Sequence, residues 1–68
     1  MQHSIKWMAK TYSELSESRK DEKRFVEKDF IEFAKNNQKK YSIIENGDDL
    51  LVSTWYSSDL VNDYRKTL

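Results

Sequence analysis

Residues 41–56, YSIIENGDDLLVSTWY, decide the fold, because the chain's only glycine sits there between two apolar runs. Asn46-Gly47 suits a two-residue type I′ turn, whose central positions both need positive φ, a conformation that Asn tolerates and Gly enters freely. The stretch therefore reads as a β-hairpin. A turn at Asn46-Gly47 pairs Ile44 with Asp49, Ile43 with Leu50 and Tyr41 with Val52. One sheet face then carries Tyr41, Ile43, Leu50 and Val52, and the other carries Ser42, Ile44, Leu51, Ser53 and Trp55. The first group fits a core; the second needs a cover of its own.

Upstream, Val26, Phe30, Phe33 and Ala34 recur at helical spacing, with Phe25 at the edge of the stripe, and predict an amphipathic helix ending near Asn37. Its start is fixed less well, because residues 16–24, SESRKDEKR, contain no apolar residue. Ser18 followed by Asp21 resembles a capping box and places the start near Arg19. Thr11 with Glu14 offers an earlier start, but a helix from Ser13 to Asn37 would run about 37 Å at 1.5 Å per residue, long for a domain of this size.

Residues 3–12, HSIKWMAKTY, support two readings. As a strand they alternate, with Ile5, Trp7 and Ala9 on one side and Lys6 and Lys10 on the other. As a helix, Ile5, Met8, Ala9, Tyr12 and Leu15 form a stripe that leaves Trp7 outside. The strand is preferred because a lone hairpin is only marginally stable without a third strand. The chain closes with a short helix capped by Ser57 or Ser58, with Leu60, Val61, Tyr64 and Leu68 on one face and Arg65 and Lys66 at its negative end.

The expected fold is thus a single α+β domain over residues 1–68, in the order β-α-β-β-α, with an antiparallel sheet packed on one long helix; α-α-β-β-α is the alternative. Sixty-eight residues bury only about 60% of the unfolded chain's surface. Disulfides cannot compensate, since there is no cysteine, and His3 is the only histidine, which leaves little material for a metal site. Tight packing or a homodimer remains.

The composition argues against catalysis. His3 lies alone near a terminus, and no glycine-rich phosphate cradle exists. Glu45, Asp48 and Asp49 cluster at the turn without the loop spacing of a calcium site, and read as solvated charges. No catalytic residue, metal or cofactor is assigned.

Twelve Lys/Arg balance twelve Asp/Glu, but unevenly. Residues 1–40 carry ten basic and seven acidic side chains, and residues 41–68 carry two and five. Arg19, Lys20, Lys23, Arg24 and Lys28 would form a basic band along a helix starting at Arg19, so a small nucleic-acid-binding regulator is the second functional expectation, weakened by the interleaved Glu17, Asp21, Glu22 and Glu27.

The first expectation rests on the hairpin's second face. Ile44, Leu51, Trp55 and Tyr56, if uncovered, form the kind of patch that marks a partner site, and Trp and Tyr often dominate interface energy. The expected function is a non-enzymatic protein-binding module that inhibits or modulates a larger protein. No apolar run is long enough for a membrane span and no signal-peptide pattern opens the chain, so a cytoplasmic protein is expected. Size and composition resemble those of small phage and mobile-element regulators, an analogy of composition alone.

Overall fold

A computed structural model describes residues 1–20 and 22–68. The elements run β1 (Gln2–Ser4), α1 (Ile5–Ser18), α2 (Glu27–Asn36), β2 (Ile44–Asn46), β3 (Asp49–Ser53) and α3 (Thr54–Lys66). The three strands form one antiparallel sheet in the order β1-β3-β2. The fold is α+β as expected, with one helix more than the preferred order.

The added helix arises where two readings of residues 3–12 competed, and each holds over part of the segment. Gln2–Ser4 pairs with β3, and a helix begins at Ile5. Ser4 makes the switch: its hydroxyl oxygen accepts the Trp7 N–H at 3.1 Å, an N-cap that ends the strand and starts the helix. Ile5, Met8 and Ala9 are then buried on one stripe, while Trp7, which the strand reading had grouped with Ile5 and Ala9, stays exposed. The helical stripe prevails because it buries more apolar surface than an alternation broken by Met8.

The second helix starts at Glu27 rather than near Arg19. The capping-box reading cannot be followed, since Asp21 lies outside the described residues, but Ser18 is the last residue of α1. Lys20, at φ 55°, takes the left-handed conformation that commonly ends a helix. Two side chains then hold the connection: Ser16 Oγ accepts the Phe25 N–H at 3.1 Å, and the Tyr64 hydroxyl bonds both the N–H and the carbonyl of Val26 at 3.3 Å. Phe25 is buried before α2 begins, and Val26, expected on the buried stripe, is exposed. Splitting the long helix lets α1 and α2 bury their stripes in one core.

The hairpin forms, with its turn one residue later than Asn46-Gly47. Asn46 pairs with Asp49, so Gly47-Asp48 is the loop. Gly47 has φ 63°, a positive value at the first central position, as a type II′ loop requires. Ile44 therefore faces Leu51 and Glu45 faces Leu50, two residues from the expected register. Because side chains alternate with period two, a two-residue shift keeps Ile44, Leu50, Leu51 and Val52 on their expected faces. Tyr41, Ser42 and Ile43, expected in the strand, instead precede β2, with Ser42 at φ 53°. Tyr41, Ile43, Leu50 and Val52 are all buried. The register is selected by β1, which pairs Ser4 with Leu51 and brings Ser4 and Lys6 to Asp49.

The core joins these residues to Phe30, Ala34, Leu60, Val61 and Tyr64, with Tyr12, Ile31, Phe33 and Leu68 packed at its margin. Phe25, Phe30 and Tyr64 interlock, with Tyr64 edge-on to both phenylalanines at centroid distances of 4.7 and 5.3 Å. Helix α3 follows β3 without a loop. Ser53 caps it, its Oγ accepting the Trp55 N–H at 3.3 Å, so the cap lies upstream of Ser57 and Ser58. Trp55 consequently belongs to the first turn of α3 and not to the strand. Among the described residues, no helix is long and apolar enough to cross a membrane.

Candidate interaction surfaces

Ile44 and Leu51, proposed from sequence as half of a partner site, are cross-strand partners on the sheet face opposite the core. Ile44 is 48% exposed and Leu51 half-buried. Their row continues through Ser4 on β1, so the centre of the outer face is a small apolar strip. The core residues contributed by α1, α2 and α3 join the inner-face residues Leu50 and Val52, as a one-sided antiparallel sheet allows.

Trp55 and Tyr56 lie in the first turn of α3, which follows β3 directly. Trp55 is 88% exposed, and Tyr56 is also exposed. Tryptophan at a fixed helix position in water forgoes the burial that usually justifies so large a side chain. Met1, 97% exposed, is a further exposed apolar residue that sequence reasoning missed. Its carbonyl accepts the Thr54 N–H at 2.9 Å and the Thr54 hydroxyl at 3.0 Å, which ties Met1 next to the Trp55 turn. The only sequence signal was a methionine preceding a short polar strand. His3 supports the same corner through Nε2 and Thr54 Oγ1, 3.1 Å apart.

Two carboxylates tie separate elements of the fold together. Asp49 accepts the Lys6 N–H at 3.1 Å, the Leu50 N–H at 2.7 Å and the Ser4 hydroxyl, so it fastens the hairpin to the start of α1. Burial pushes its carboxyl up, but these three donors and the Lys6 charge outweigh burial and leave it below the usual Asp value. Asp63 accepts the Tyr41 hydroxyl and stands 3.8 Å from Lys40. Burial, the bond to Asp63 and the nearby negative charges together raise the Tyr41 phenol to about 12.

The acidic group at the turn is already engaged. Asp48 pairs with Lys6 at 3.1 Å, which lowers its carboxyl, and Asp49 is held as described. Among the described residues, no group of three or more His, Cys, Asp or Glu side chains is arranged to hold a metal ion. Glu45 shares the face of Leu50 on the outermost strand, yet is exposed. A charge turned inward on a three-residue edge strand resists addition of a further strand, so the outer face rather than this edge is open to a partner.

The basic residues are placed differently from the expected band. Arg19, Lys20, Lys23 and Arg24 lie in the connection between α1 and α2, and Lys28 lies in the first turn of α2. All five are exposed, but they do not share one helix face. Comparison with known protein families, with curated proteins and with solved structures finds no match.

Proposed function

We propose that this chain is a small protein-binding module that docks through Ile44, Leu51, Trp55 and Tyr56 on a larger protein and thereby inhibits or modulates it. The observation that carries the reading is Trp55, in the first turn of the helix that follows β3 directly, yet 88% exposed. An aromatic anchor at the centre of an interface typically costs about 2 kcal/mol or more when truncated, roughly thirtyfold in affinity. A standard interface takes about 800 Å² from each partner, so the contact extends past these four residues onto Met1 and the neighbouring rim.

Parallel affinity capture from the native cell tests the proposal, using the wild-type chain, Trp55→Ala and Trp7→Ala as baits. Trp7 is also a large exposed aromatic but is not one of the four residues assigned to the surface. A species retained by the wild type and Trp7→Ala, lost on Trp55→Ala and then reconstituted from purified components supports the reading. Identical species on all three folded baits would refute it. Light scattering on the purified chain shows whether the partner is a second copy, in which case Trp55→Ala yields a monomer.

A further inference from the structure

The end of the molecule away from the sheet gathers positive charge from parts of the chain that are far apart in sequence. Helices α1 and α3 both start where strands end, at Ile5 and Thr54, and each runs about 20 Å at 1.5 Å per residue. They converge at their far ends: the Arg65 guanidinium lies 5.4 Å from the Tyr12 ring centroid, and Lys23 Nζ donates to the Leu68 carbonyl at 2.8 Å. Ser16, Glu22, Lys23, Phe25, Arg65 and Leu68 line one cleft there. Lys23 of the connection thus meets Arg65 of α3 in one cleft, with Arg19, Lys20 and Arg24 next to Lys23 in the chain, a meeting that the sequence does not reveal.

Among the described residues, Arg19, Lys20, Arg24 and Arg65 stand in no ion pair. Among the described residues the ion pairs are Lys6 with Asp48 and Lys40 with Asp63, both elsewhere in the fold. Residues 41–64, which include the hairpin and most of α3, hold five acidic side chains and no Lys or Arg. The zero formal net charge thus hides an uneven distribution along the sequence. The hairpin carboxylates are met by Lys6 and Lys35, which line the same cleft as Glu45, Asp48 and Asp49.

We propose that this basic end binds the phosphate backbone of nucleic acid, independently of the docking surface around Trp55. Its composition favours phosphates over an acidic protein face. Protein interfaces are depleted of lysine at their centres and anchored by exposed aromatics, whereas here Phe25 is buried and Tyr12 packs against the core beneath Arg65. Binding by exposed Lys and Arg through counterion release needs charge density and little shape fit. Glu17, Asp21 and Glu22 in the same stretch of sequence oppose it, so fewer than five phosphates are neutralised.

Fluorescence anisotropy with labelled oligonucleotides of about 20 residues, single-stranded and duplex, tests the proposal. About four phosphate contacts predict a loss of roughly 100-fold in affinity between about 50 and 200 mM salt. The triple variant Lys20→Gln, Arg24→Gln, Arg65→Gln should lower the slope of log affinity against log salt by about 3, since each contact contributes about 1. Lys39→Gln and Trp55→Ala should bind as the wild type does. Absence of binding at 50 mM salt, a slope unchanged in the folded triple variant, or equal affinity for poly-glutamate of matched charge would each overturn it. Because Trp55→Ala is a control here, failure of this proposal leaves the docking surface untouched, and the converse holds.

Discussion

The two faces of β3 carry residues of similar chemistry and opposite fates. Leu50 and Val52 point into a core closed by three helices, whereas Leu51, between them in sequence, lies beside Ile44 on the face that no core residue covers. Hydrophobicity alone does not separate them. Position in the alternation does, because a strand offers its neighbours to opposite sides. Helix α3 repeats the contrast along its length: Tyr64 is buried with its hydroxyl bonded to Val26, and Trp55, nine residues earlier, is largely in water. The inner set holds the fold, and the outer set is available for association.

Substitutions on the two sides should separate these roles. The largest effect is expected at Phe30, which has no exposed surface and packs on Phe25 and Tyr64. Phe30→Ala should cost about 3–5 kcal/mol, comparable to the whole stability of a domain of this size, so urea unfolding would show a lost or nearly lost transition.

Asp49 connects the two sides by fastening the hairpin to α1. Asp49→Asn should cost about 1–2 kcal/mol at neutral pH, because an amide cannot accept from all three donors. The carboxyl lies below its ordinary value in the folded chain. Its contribution is therefore fully present above the unfolded-state value of about 4 and vanishes as pH falls through the folded one. Urea titrations at neutral and acid pH should show the gap between wild type and variant closing with acid; a gap that widens would contradict the assigned role.

A smaller effect is expected at Gly47. A methyl group there would meet nothing within 4 Å, so the cost of Gly47→Ala comes only from forcing an L residue to φ 63°, about 1 kcal/mol. A loss several times larger would mean that the turn, rather than pairing with β1, governs the register.

That division also explains what could be read from the sequence. Periodicity was enough to find the end of α2, the hairpin, the apolar stripe of α3 and the inner face of the sheet, because each buries a regular pattern. The face assignment survived a misplaced turn since the error was an even number of residues. The break between α1 and α2 was hidden, as residues 16–24 contain no apolar side chain to mark a buried face, and its anchors, Ser16 and Tyr64, act across the fold. Strand β1 is only three polar residues, too few for a pattern. Ile44, Leu51, Trp55 and Tyr56 were singled out from residue type and alternation, but Trp55 was assigned to the strand because Ser53 gives no sign in sequence that it caps a helix. The meeting of Arg65 with Lys23 of the α1–α2 connection is purely tertiary.

The smallest effect on folding, and the one that bears most directly on the division between faces, is expected at Trp55. Exposed substitutions away from caps and core usually change stability by less than about 0.5 kcal/mol. Urea unfolding of Trp55→Ala beside the wild type measures this, followed by far-ultraviolet circular dichroism so that the lost fluorophore does not matter. A midpoint within that range is predicted, leaving Trp55 to serve association; a loss of more than about 2 kcal/mol would place Trp55 in the core and remove the docking surface it defines.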